Sequence, residues 1–110
     1  MLREVALSAP LAGELRLSGA IDRLIVAPDG ITAIDYKSNA AVPADAGSTP
    51  EGYLRQMAAY RHALRAIWPD RRVETAILWT RTRTLMPLPD TTLDAAWARA
   101  LAELAPDAAP

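Results

Sequence analysis

Apolar and polar positions alternate early in the chain. Leu15, Leu17 and Gly19 fall on one side of an extended segment, and Arg16 and Ser18 on the other. Such a period of two predicts a strand with one buried face. The run starts near Gly13 and continues through Ala20 to Val26. Pro28-Asp29-Gly30 then predicts a turn, because proline presets its own φ and glycine accepts a positive one. Ile31 to Lys37 follows at once as a second strand, completing an antiparallel hairpin. Ahead of it, Glu4 to Leu7 is apolar enough for a short strand that Ala9-Pro10 ends.

Ser38 to Pro50 carries small residues, prolines and Gly47, which predicts a mobile loop. Ser48-Thr49-Pro50-Glu51 has the signals of a helix start: a hydroxyl cap, proline in the first turn and an acid near the positive helix end. The predicted helix runs from Glu51 to Ile67, with Leu54, Met57, Ala58, Leu64 and Ile67 as its buried stripe. Val73 to Thr80 is a further strand. Arg81-Thr82-Arg83 leads into a short edge strand, Thr84 to Leu88, on which the two arginines alternate. Pro89-Asp90-Thr91-Thr92 supplies caps for a last helix, Thr91 to Leu104, and residues 105–110 are expected to fray. Three strands, a helix, a strand, an edge strand and a helix make one mixed α/β layer domain.

The 110 residues are 51% hydrophobic, enough for a core, and contain no cysteine, which excludes disulfides and thiolate metal sites. No stretch is long enough for a membrane span, and the start lacks a secretory signal, so a cytoplasmic protein is expected. The net charge of −1 argues against tight, independent DNA binding. It leaves room for cutting DNA that another domain holds. Eleven arginines accompany one lysine, Lys37. A lysine retained in so arginine-rich a chain points to chemistry arginine cannot perform, because its ammonium is compact and its pKa adjustable. Chance placement is the plain alternative.

Asp22 lies in the first hairpin strand and Asp35 near the end of the second. Antiparallel pairing can bring the two acids together, where they repel unless a cation compensates. Magnesium takes one or two carboxylates and keeps several waters, and the Tyr36 backbone carbonyl is a candidate further ligand. Lys37, two residues after Asp35, shares its strand face and would position a water or stabilise a charged phosphorane. A surface ion pair is the bland reading of D-x-K. Gln56 and Tyr60, four apart on one helix face, are candidates to reach the phosphate or the water. A polar helix edge is the bland reading of that pair.

In their order, Gly19-Ala20-Ile21-Asp22, Asp35-Tyr36-Lys37 and Gln56-x-x-x-Tyr60 resemble the RecB-type branch of the PD-(D/E)XK nucleases. With Leu78-Trp79-Thr80, the text is similar to the C-terminal nuclease region of AddA subunits of AddAB helicase–nucleases. The resemblance covers Glu4 to about Leu104. It implies a restriction-endonuclease-like mixed sheet flanked by helices. It also implies a partial domain over residues 1–110 that lacks the opening helix of the fold.

Asp22 and Asp35 would then be metal ligands for Mg2+, or Mn2+. Lys37 would be the catalytic lysine, supported by Gln56 and Tyr60. The implied activity is a metal-dependent DNA exonuclease in double-strand break repair. DNA, parent helicase domains and an AddB-type subunit would be its partners.

The chain has no phosphate-binding G-x-x-x-x-G-K-[ST] loop, so no ATPase or helicase activity is expected. His62 lies on the wrong element to serve as a ligand and reads as an exposed helix residue; Glu4 reads as an acid of framework or solvent role, with support of the metal ligands as the alternative. Trp68, Trp79 and Trp97 read as core or interface anchors. Arg81 and Arg83 read as a solvated edge rather than a phosphate contact. Arg55, Arg61 and Arg65 form a basic helix edge expected to face DNA or a parent domain. The alternative function is a nuclease-like structural or DNA-end-binding fragment, self-associating through a bare sheet face.

Overall fold

The computed structural model describes residues 2–10 and 16–104, with side chains from Ile21 to Glu103. The alternation of Leu15, Leu17 and Gly19, the side chain of Glu4 and the tail 105–110 lie outside these residues. Five strands form one sheet in chain order: β1 (Leu2–Pro10), β2 (Arg16–Val26), β3 (Gly30–Lys37), β4 (Arg72–Trp79) and β5 (Thr84–Pro87). Neighbours are antiparallel except β3 and β4, which are parallel. A parallel pair needs a long crossover. Here residues 38–50 and the helix α1 (Glu51–Ile67) supply it, and a second helix, α2 (Asp90–Leu104), packs on α1.

Several local signals are used differently from their sequence reading. β1 runs through to Pro10, which pairs with Arg16. An edge strand tolerates proline because one side of its backbone has no ladder to serve. The hairpin turn closes between Ala27 and Gly30, but Gly30 does not adopt a positive φ; instead, a Cβ there would sit 3.4 Å from the Arg72 carbonyl on β4. The cap of α1 is Pro50 and makes no side-chain bond, while the Thr49 hydroxyl turns to the Met86 sulfur. Ile67 is exposed, because the helix ends beyond the sheet it covers. Residues 38–50 hold one 3-10 turn, Ala46–Ser48, and set Val42 and Ala46 against the core.

The core-facing positions of β3 are Ile31, Ala33 and Asp35, and those of β4 are Val73, Thr75, Ile77 and Trp79. Leu54, Met57, Ala58 and Leu64 of α1 cover them, joined by Leu93 and Ala96 of α2. The period of two that buries Ile31 and Ala33 therefore also carries Asp35 inward.

The arginines of α1 face α2. Arg61 is only 3% exposed and reaches Asp90 Oδ1 at 3.0 Å and Asp94 Oδ1 at 2.5 Å. Arg55 pairs with Glu51 and Glu103, Arg65 lies 3.5 Å from Asp90, and Arg99 returns from α2 to Glu51 at 2.8 Å. The expected basic edge for DNA or a parent domain is thus occupied by pairing between the helices. Ammonium and guanidinium groups near buried surface are held where carboxylates neutralise them.

Arg99, and after it Arg55, hold the Glu51 carboxyl down to about 2 from its ordinary 4.5. A carboxyl depressed in the folded state adds stability above its unfolded value and loses it as pH falls through the folded one. Glu51→Gln should lower the urea midpoint at pH 7. That deficit should close between pH 4.5 and 2 and shrink in high salt, since the pair is solvent-exposed. A deficit of equal size at both pH values would mean that packing, not charge, carries the contact.

Candidate active site

β2 and β3 pair with Arg23 opposite Ile34, so the next position towards the sheet end sets Asp22 beside Asp35. The Tyr36 amide donates to Asp22 Oδ2 at 2.8 Å. In an extended strand, the N–H and C=O of one residue point to the same edge. The Tyr36 carbonyl is therefore directed to the β2 side, where Asp22 stands. The Lys37 carbonyl points the other way and accepts the Thr80 amide at 2.9 Å.

Asp35 and Lys37 share a face, and Lys37 Nζ lies 2.8 Å from Asp35 Oδ2. The same ammonium donates to Gln56 Oε1 at 3.1 Å, and Gln56 Nε2 donates to the Tyr60 hydroxyl at 3.1 Å. A third contact to the ammonium comes from Tyr53, whose ring centroid is 4.2 Å from Nζ. The negative face of an aromatic ring attracts a cation at that distance. The Tyr53 hydroxyl donates to Asn39 Oδ1 at 3.1 Å, and its ring leans on Trp79 with centroids 6.2 Å apart.

Tyr53 and Asn39 were not singled out from the sequence. The signal was present, since Tyr53, Gln56 and Tyr60 lie at helical spacing on one face. Tyr60 is buried, and its hydroxyl meets the site through Gln56. His62 is half-buried and stacks on Trp97, 4.8 Å between centroids, away from the acids. Arg81 and Arg83 lie in the turn between β4 and β5, not on a strand as the alternation suggested.

Asp35 is 4% exposed. Burial pushes its carboxyl above the ordinary carboxylate range; Lys37 opposes the shift, and the neighbouring Asp22 charge adds to it. Burial likewise raises the Tyr60 hydroxyl, which stays protonated. The Lys37 ammonium is the cation that Asp35 Oδ2 meets. The two carboxylates and the Tyr36 carbonyl form an all-oxygen donor set. No group of three or more acids or histidines occurs among the described residues. Such a set fits a hard ion that keeps much of its hydration, as magnesium does, better than a closed protein cage.

A family model described as the PD-(D/E)XK nuclease superfamily matches residues 2–109. The chain belongs to this superfamily. Curated proteins gave no match. The α/β sheet with its helices is consistent with the restriction-endonuclease-like fold of PD-(D/E)XK proteins. Membership suggests a nuclease-type function and implies DNA binding, and PD-(D/E)XK nucleases generally use divalent metal ions. Asp35-Tyr36-Lys37 has the (D/E)-X-K form of the superfamily's name, and Asp22 stands upstream where its first acid would be. Among the described residues, no helix is long and apolar enough to cross a membrane.

Because Lys37 is the only lysine, one isotope label reports on this site alone. In lysine-labelled protein, the Hε protons should be shifted upfield by the Tyr53 ring. The shift should survive Tyr53→Phe and vanish in Tyr53→Leu. Identical lysine spectra in wild type and Tyr53→Leu would show that the ring does not sit on the ammonium in solution.

Proposed function

We propose that this domain is a magnesium-dependent deoxyribonuclease, with manganese able to replace magnesium. We place it as the exonuclease module of a double-strand break repair helicase–nuclease of the AddAB type. The observation that carries the reading is the convergence of Asp22, a buried Asp35 and the only lysine at one sheet end.

Asp22, Asp35 and the Tyr36 carbonyl would hold the ion. When bound, a divalent ion lowers the pKa of water and neutralises phosphate charge. Lys37 presents its ammonium to the attacking oxygen or to the charge developing on the phosphorane. Gln56 fixes the direction of that ammonium, and Tyr60 fixes Gln56. Tyr53 covers the other side of Nζ and restrains its side chain.

The motif order and the Leu78-Trp79-Thr80 strand support placement beside helicase motors and an AddB-type subunit. The modest charge supports it too, since weak DNA binding by this domain would be reinforced by those partners.

Calorimetry with Mg2+ and Mn2+, paired with cleavage of single-stranded DNA, tests the reading. Wild type should bind the ion and cut, and Asp35→Ala should lose both. Lys37→Gln should keep the ion and cut about 10²–10³-fold more slowly, the usual effect of losing one transition-state donor. Ion binding without cleavage by wild type would favour a DNA-end-binding module that no longer cuts. Absence of both would contradict the proposal.

A further inference from the structure

We propose that the turn between β4 and β5, carrying Arg81 and Arg83, is a contact site for the phosphate backbone of single-stranded DNA beside the cleavage centre. The inference rests on the deoxyribonuclease reading and adds a substrate-holding surface to it.

Position comes first. β3 and β4 are parallel and in register, with Lys37 opposite Trp79, so the turn begins at the sheet end that carries Asp35 and Lys37. Adjacent strands lie about 4.8 Å apart, which brings the turn within an arginine's reach of phosphates flanking one held at Lys37. The turn is also tied to the site's own backbone. Thr80 donates to the Lys37 carbonyl from its amide at 2.9 Å and from its hydroxyl at 3.2 Å, and Arg81 Nε donates to the Ser38 carbonyl at 3.2 Å.

Charge comes second. Arg55, Arg61, Arg65, Arg72 and Arg99 are each paired with a carboxylate. Arg81 and Arg83 are exposed and have no carboxylate partner among the described residues. A chain of net charge −1 therefore leaves unneutralised cations next to its acids and lysine. The planar fork of a guanidinium matches phosphate oxygens.

Backbone comes third. Arg83 has a φ of 54°, the only positive value outside glycine among the described residues. This left-handed conformation favours glycine and disfavours a long side chain. A long side chain in a conformation that glycine adopts without strain is the kind of backbone outlier that clusters at functional sites.

The test is binding of a fluorescent single-stranded oligonucleotide, followed by anisotropy in EDTA over a range of salt. Each lost phosphate contact should flatten the log–log salt slope by about 0.7. Arg83→Gly should lose about 0.7 while its melting temperature stays level or rises, since the strain is relieved. Arg81→Gln with Arg83→Gln should lose about 1.4 and raise KM for DNA more than it lowers kcat. Arg72→Gln, paired with Glu74 at the opposite end of β4, should leave the slope unchanged.

Unaltered slope and KM in both turn variants, in a protein that still cuts DNA, would overturn this inference and leave the nuclease reading intact. A wild type that neither binds nor cuts DNA would overturn both.

Discussion

A carboxylate that follows the core-facing period of a strand must leave water without leaving its charge. Asp35 is in that position, continuing Ile31 and Ala33 inward, with Lys37 one pleat further and 2.8 Å away. Burial disfavours the ionised acid, and Asp22 beside it makes matters worse. One lysine is an incomplete answer, since two neighbouring carboxylates share a single ammonium. On the proposed reading a hydrated divalent ion would complete the balance, and such an ion can also activate water for phosphodiester hydrolysis.

The surrounding structure serves that arrangement. The hairpin register sets the two acids together, and the parallel β3–β4 pair aligns Lys37 with Trp79. Tyr53 spans the two by resting on Trp79 and under the ammonium, while Gln56 and Tyr60 extend along the same helix face. The helix carrying them is locked by Arg61 to the start of α2. Arg55, Arg61, Arg65 and Arg99 pair with carboxylates along α1 and α2, whereas Arg81 and Arg83, at the sheet end that carries Asp35 and Lys37, meet no carboxylate among the described residues.

Much of this was legible in the residues. The Pro28-Asp29-Gly30 turn and the spacing of Leu54, Met57 and Leu64 are local signals, and they match the hairpin and the helix. The D-x-K spacing alone places two side chains on one face, because the pleat has a period of two.

What failed to read out depends on distant partners. Arg55 and Arg61 are a basic edge until α2 brings Glu103, Asp90 and Asp94 against them. Tyr53 is one more aromatic until β3 delivers the ammonium to its ring. The burial of Tyr60, which spacing on the helix does not encode, comes from packing against the core. Arg81 and Arg83 alternate like strand residues, yet the chain reverses there, which no period of two encodes.

If Asp22, Asp35 and the Tyr36 carbonyl hold one hydrated ion, anomalous diffraction from a crystal soaked in manganese should show a single strong peak within bonding distance of both carboxylates. A peak elsewhere, with Asp22 and Asp35 bridged only by protein atoms or water, would contradict that reading.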